Sequence, residues 1–317
     1  MFARRNRPMP ASNEKQALFP EGSRVIRNPN GTAPGIDLTV ARPGRGESRV
    51  LALPGVPPEV DEMWRDSVGD TVVRFAGRLR AIRHRAIKCF GVGESQVETM
   101  LPDLIRRGRQ PLVGINASQA TIILRITAEG STAEEADSSM IPTVETIHAC
   151  LGNLVFGEGD DELQDAVLRL LDVRNATLAT VEQATEGLVA EWLDHASRHA
   201  NSYLGGLVVR SQESAARVLG VPGEMLDGHA AGSDEAEVMA RQCRDRFGAD
   251  YALAVGRLPS LAPSVREPAI VYFALAGPGG VVTHRHPYTG HPAIREVFCA
   301  KTALNFVRLA LLATEQE

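Results

Sequence analysis

Aromatic residues are scarce: Phe, Trp and Tyr make up 5% of the 317 residues, which leaves few platforms for stacking bases or sugars. Cysteine is also sparse. Cys89, Cys150, Cys243 and Cys299 stand far apart with no Cys-x-x-Cys pair, which excludes a zinc knuckle or thioredoxin motif and argues against a disulfide framework. No apolar run reaches the roughly 20 residues of a spanning helix; the stretch near the end, Leu309–Ala313, follows Arg308 directly. Arg4, Arg5 and Arg7 are not followed by an apolar segment, so a signal peptide is not expected and the chain reads as cytoplasmic. Cations are not in excess either. With 34 Lys+Arg against 39 Asp+Glu the net charge is −5, which argues against nucleic acid as a partner of the whole surface.

What is present is ordinary folded-protein material, 44% hydrophobic and 23% charged, in a length that suits two or three domains. Residues 1–73 are rich in Pro and Gly and predict short strands at Arg24–Ile26, Ile36–Val40 and Arg49–Leu53, with turns at 28–31 and 43–46. A helix is predicted from Pro57 or Pro58, with Val60, Met63, Trp64 and Val68 on one face. Residues 74–158 predict strand, helix, two strands, helix, an α+β module with Ser-x-x-Glu helix starts at Ser95–Glu98 and Ser131–Glu134. Residues 159–317 alternate strands with helices and end in an amphipathic helix from Pro292 to Leu312, the pattern of a layered α/β domain.

Several groups could carry chemistry, each beside a plainer reading. The loops Gly31-Thr32-Ala33-Pro34-Gly35 and Leu53-Pro54-Gly55-Val56-Pro57-Pro58-Glu59 can bring bare backbone N–H groups to an anion, although turn chemistry alone explains their Gly and Pro. Arg74, Arg78, Arg80, Arg83, Arg85, Lys88, Arg106, Arg107 and Arg109 concentrate positive charge. They could track a phosphate backbone, but no GxxG loop accompanies them, and a solvated face or domain interface is the simpler reading. His195 and His199 are four apart, and His284, His286 and His291 form a looser group; neither has the partners of a recognised metal motif.

Taken in order, five segments resemble the competence/damage-inducible CinA family: Met9-Pro10-x-Ser12-Asn13-x-Lys15-Gln16-Ala17, Asn28-Pro29-x-Gly31-Thr32-Ala33-Pro34-Gly35, Leu53-Pro54-Gly55-Val56-Pro57-x-Glu59, Phe90-Gly91-x-Gly93-Glu94-Ser95 and Tyr203-Leu204-Gly205-Gly206. The resemblance implies an α/β architecture: the C-terminal half of a molybdopterin-binding-like (MoaB/MogA-like) domain over 1–73, a small α+β KH-like module over 74–158, and an α/β layered CinA C-terminal, nicotinamide-nucleotide amidase-like domain over 159–317. It also implies two activities, metal-dependent hydrolysis of ADP-ribose and deamidation of nicotinamide mononucleotide. The family residues retained for binding are Ser12, Asn13, Gln16, Gly31, Thr32, Ala33, Pro34, Pro54, Gly55, Pro57 and Glu59. A homo-oligomer with one of these nucleotides as ligand is the expectation. No cofactor is assigned; a divalent metal such as Mg is expected only with the acidic half of the first domain, since this chain matches that domain from about its midpoint.

The amidase pattern departs from the family. Glu-Ser-Cys-Thr-Gly-Gly stands as Glu182-Gln183-Ala184-Thr185-Glu186-Gly187, so the nucleophile is Gln183. Tyr-Ser-Asn-Glu-Ala-Lys stands as Arg210-Ser211-Gln212-Glu213-Ser214-Ala215, so the activating lysine is Ala215. Thr-Gly-Ile-Ala-Gly-Pro stands as Val255-Gly256-Arg257-Leu258-Pro259-Ser260, and the late Gly-Asp-Arg as Gly290-His291-Pro292. An amide is not a nucleophile and alanine takes no proton, so the expectation is a silent site, with Thr185 or Ser211 as the hydroxyls that could substitute.

Overall fold

The computed structural model describes residues 11–77, 80–101, 103–106, 108–197, 201–220, 232–258, 268–289 and 291–313. Two compact units emerge, residues 1–81 and 82–317. Their secondary structure is the mixed α/β type expected from the pattern of strands and helices.

The first unit opens with a 3-10 helix, Ala11–Ala17, which the turn-rich sequence does not predict. Strands β1 (Arg24–Ile26), β2 (Gly35–Arg42) and β3 (Arg45–Ala52) form an antiparallel sheet in that order. Helix α1 (Pro57–Met63) starts on its two prolines, whose fixed φ suits the first turn. It runs through a wide π turn, Trp64–Val68, into α2 (Gly69–Ala76). That turn corrects the expected apolar face. A π turn rotates the residues after it relative to α-helical spacing, so Met63 and Val68 are buried while Trp64 is left 51% exposed. The core here is small: Ile26, Met63 and Val68, flanked by Leu51 and Leu53.

The second unit holds all but the first residue of β4 (Ala81–Cys89), then α3 (Glu94–Met100), β5 (Leu112–Ser118), β6 (Thr121–Gly130), α4 (Ala133–Leu151) and β7 (Val155–Glu158). These strands form a sheet ordered β5-β6-β4-β7. β7, absent from the sequence pattern, pairs antiparallel with β4 and finishes the sheet. Both predicted helix starts need correction. α3 begins at Glu94, and its N-cap is Gly93, two residues before Ser95, with no side-chain cap. α4 is capped by Thr132, not Ser131: the Thr132 hydroxyl accepts from Glu135 N–H at 3.2 Å and the Glu135 carboxylate accepts from Ser131 N–H at 2.7 Å.

The rest of the unit comprises α5 (Leu163–Val173), β8 (Leu178–Glu182), α6 (Leu188–Ala196), β9 (Tyr203–Val208), α7 (Gln212–Leu219), α8 (Ser233–Phe247), β10 (Tyr251–Val255), β11 (Ile270–Gly277), β12 (Gly280–Pro287) and α9 (Arg295–Ala313). The sheet order is β12-β11-β10-β8-β9, with β8, β9 and β10 parallel and β11 and β12 antiparallel. Period-two alternation sorts its faces. Leu253, Val255, Val271, Phe273 and Leu275 meet α5, α6 and α9, whereas Ala179, Ala252, Ala254, Ala274 and Ala276 meet α7 and α8. The alanine face lets those two helices approach closely, and the bulky face fills the opposite layer. Among the described residues no helix is long and apolar enough to cross a membrane.

The middle module and the C-terminal layer are joined by polar contacts, of which Lys301 to Thr121 is buried. Glu162 accepts from Lys88 Nζ at 2.7 Å and Lys301 Nζ at 3.3 Å, and Lys301 also donates to Thr121 Oγ1 at 2.6 Å. Arg308, 3% exposed, donates to the carbonyls of Asn153 (2.5 Å) and Val155 (3.3 Å).

Candidate functional site

The two Gly/Pro loops follow β1 and β3, which run in the same direction, so they emerge at one end of the small sheet. The structure brings them together through Asn28, a residue outside the set expected from sequence. Its amide donates to Ala33 O at 2.8 Å and Glu59 Oε2 at 2.7 Å, and its Oδ1 accepts from Gly31 N–H at 2.8 Å. A Cβ at Gly31 would collide with the Glu59 carboxylate. Gly31 is thus required for the close approach, but its N–H is already used and a carboxylate fills the space beside it. Of the other expected binders, Asn13 and Gln16 lie on the 3-10 helix and make no hydrogen bond to these loops among the described residues. Ser12 lies on the same helix.

The second candidate lies at the C-terminal ends of β8, β9 and β10, where parallel α/β sheets place their ligands. Glu182 ends β8 fully buried. Its carboxylate accepts from Thr185 Oγ1 at 2.6 Å, Val189 N–H at 3.0 Å and Ala190 N–H at 2.7 Å. It therefore satisfies two open N–H groups of α6 and complements that helix's positive end. Gln183 comes next, 9% exposed, with both amide atoms buried and without a hydrogen-bond partner among the described residues. Glu186 lies three residues on at φ +52°, a left-handed conformation that a non-glycine side chain adopts only under strain.

Neither substitute nucleophile is poised. Thr185 is fully buried, and its hydroxyl is committed to Glu182. Ser211 caps α7, its oxygen accepting from Ser214 N–H at 3.0 Å and bonded to the Ser214 hydroxyl at 2.8 Å. Ala215 is fully buried in the core beneath α7 and α8. Arg257, standing where the family loop has isoleucine, pairs through Nε with Glu235 Oε2 at 3.0 Å on the first turn of α8. That partnership spans 22 residues and has no local sequence signal. Pro259, Ser260 and Gly290 lie outside the described residues. Burial, with the charges of Glu186 and Glu182, pushes the Glu296 carboxyl above its usual range. Burial also pushes the thiols of Cys89, Cys243 and Cys299 up to about 12, which removes them as nucleophiles at neutral pH.

His284 and His286 serve packing. His284 stacks between Phe273 and Phe306 at 6.0 and 5.6 Å, and His286 lies against Phe273 and Phe298 at 5.7 and 5.2 Å. No cluster of three His, Cys, Asp or Glu residues suited to a metal occurs among the described residues, and His199 lies outside them. Burial, helped by the charge of His284, brings His286 down to about 4. Unfolding lets it bind a proton near 6.5, so stability is complete above pH 6.5 and is lost as pH falls toward 4. The expected loss is up to about 3 kcal/mol, read by denaturant melts at pH 7 and 4.5. His286→Phe should flatten that difference, and an unchanged profile in the variant would exclude His286 as its source.

Three residues of the basic cluster are paired with carboxylates. Arg83 meets Asp137 at 3.0 Å, Arg85 meets Glu158 at 2.5 Å and Lys88 meets Glu162 at 2.7 Å. Arg78 and Arg107 lie outside the described residues.

Comparison with known proteins adds to this geometry. Residues 84–157 match the damage-inducible protein CinA KH domain and residues 160–311 the CinA C-terminal domain. A CinA-like protein of Frankia casuarinae is 35% identical over 311 residues, covering 96% of this chain and 70% of that protein. The chain belongs to the CinA family. A putative competence-damage inducible protein of Symbiobacterium thermophilum is 34% identical over 88% of the chain. A CinA superfamily protein of Klebsiella pneumoniae is a structural relative at 27% identity and TM-score 0.44, covering 48% of this chain and 96% of that one. The chain spans 65% of the Symbiobacterium CinA relative and 62% of a CinA-like protein of Prochlorococcus marinus.

Proposed function

We propose that this chain is a cytoplasmic CinA-family protein whose amidase-type site is catalytically silent and whose role is nucleotide binding or scaffolding, as a homo-oligomer and without nucleic acid as partner. The observation that carries the reading is Gln183, a buried amide with no partner among the described residues, at the position the family resemblance assigns to the nucleophile. Fully buried Ala215 supports it, because no base stands on α7 at the lysine position. In other hydrolases, losing a nucleophile or its base costs about 10⁴- to 10⁶-fold in rate.

The test incubates the purified chain with nicotinamide mononucleotide, and separately with ADP-ribose and magnesium, following ammonia and AMP. Neither product should form above background. Gln183→Ser alone should stay within about tenfold of background, because the hydroxyl gains no base. Ammonia release by the unaltered chain at an enzyme-like rate would sink the reading, and AMP release would assign hydrolysis to the first unit.

A further inference from the structure

The first unit contains a cavity of about 620 Å³ that has no part in the amidase-type site. It lies along β1, one face of β2 and β3, and the helical segment 66–74, and neither Gly/Pro loop contributes to its lining. Its charged lining is unbalanced: Arg24, Arg27, Arg49 and Arg74 face Asp37 and Asp66. Arg49 and Asp37 cancel each other through a two-pronged pair, Nε to Oδ1 and Nη2 to Oδ2, both 2.7 Å. The Arg49 side chain holds the Asp37 carboxyl below its usual range, so this pair stays ionised and fixes the floor. Arg24 and Arg27 make no hydrogen bond or ion pair among the described residues, and Arg74 uses only Nε, on the Asp70 carbonyl. Three guanidiniums against Asp66 leave an excess of about two positive charges, the charge a phosphoryl dianion would neutralise. Thr71 adds a hydroxyl, whereas the Ser67 hydroxyl is donated to the Met63 carbonyl at 3.4 Å; Ile26, Leu51 and Val68 supply an apolar wall. The volume is in the range of small-ligand sites.

We propose that this cavity binds a phosphoryl dianion, with Arg24, Arg27 and Arg74 as its donors. Such binding is independent of whether the amidase-type site is silent. Inorganic pyrophosphate and inorganic phosphate are the probes, titrated calorimetrically into the full chain at low ionic strength. One saturable site per chain is expected. Arg24→Ala/Arg27→Ala should weaken binding at least about tenfold, since two charge-assisted hydrogen bonds are removed. Arg42→Ala/Arg45→Ala, on the β2–β3 turn outside the cavity, should change it less than about twofold. Arg49 is left intact because it holds the sheet through Asp37. No saturation with the wild-type chain, or equal weakening in the control pair, would overturn the proposal in favour of a diffuse surface field. Self-association of the chain that Arg24→Ala/Arg27→Ala abolishes would also overturn it, marking the cavity as a protein contact.

Discussion

Glu182→Ala is expected to lower the melting temperature of the second unit by about 10 °C while leaving its transition cooperative. The carboxylate is fully buried and takes three donors, the Thr185 hydroxyl and the N–H groups of Val189 and Ala190. Removing it strands all three, two of them fully buried, at about 1–3 kcal/mol each before relaxation, and uncaps α6 at its positive end. A net loss of about 3–5 kcal/mol results if relaxation recovers part of this, and each kcal/mol moves the midpoint by about 2–4 °C in a unit of this size. Glu182→Gln keeps the shape and one acceptor oxygen, so its loss should be roughly half. A shift of less than about 3 °C for the alanine variant would show that water enters and replaces the carboxylate. Because Glu182 closes the β8–α6 turn that carries Gln183, the same variants should alter any ligand affinity of that turn.

The second large effect concerns the two units. Hydrogen exchange should show amides of β2 and β3 opening at least about 10³-fold more readily than those of β8 and β10, a gap of about 4 kcal/mol. The reason is the size of the apolar core. In the first unit only Ile26, Met63 and Val68 are buried among the described hydrophobic residues, and Val25, Val50, Trp64, Val73 and Phe75 stay exposed. β8 and β10 lie between two filled helical layers. Domains this small bury too little surface to be firmly stable alone. Equal protection across both sheets would show that the first unit draws stability from contacts beyond its own core.

Much of the fold was legible because its signals are local. Tyr251-Ala-Leu-Ala-Val255 and the strand expected at Thr177–Val181, found at Leu178–Glu182, are short and mostly apolar, as buried parallel strands are. Pro57 and Pro58 marked a helix start for a steric reason that context does not change. Choices between near-equal local options were not legible. Ser131 and Thr132 each precede an acidic residue by three, and only the extended backbone at Thr132 decides between them. The site residues that escaped notice act at long range. Asn28 reaches Glu59 across 31 positions and Arg257 reaches Glu235 across 22, and nothing in a glycine-rich loop announces which distant carboxylate will fill the space beside it. The family pattern located Gln183, but that its amide lacks a partner is a property of packing alone.

The contacts of α9 have a temporal consequence. Lys301 reaches Thr121 across 180 residues, and Arg308 reaches Asn153 across 155. The middle module thus receives two of its buried polar partners from a helix synthesised long after it. During synthesis its sheet can pair, but the Asn153 and Val155 carbonyls wait for Arg308. Non-local closure of this kind slows folding and prolongs the exposure of unfinished surfaces. The KH module of this chain, although recognisable by itself in sequence, is completed only when α9 has left the ribosome.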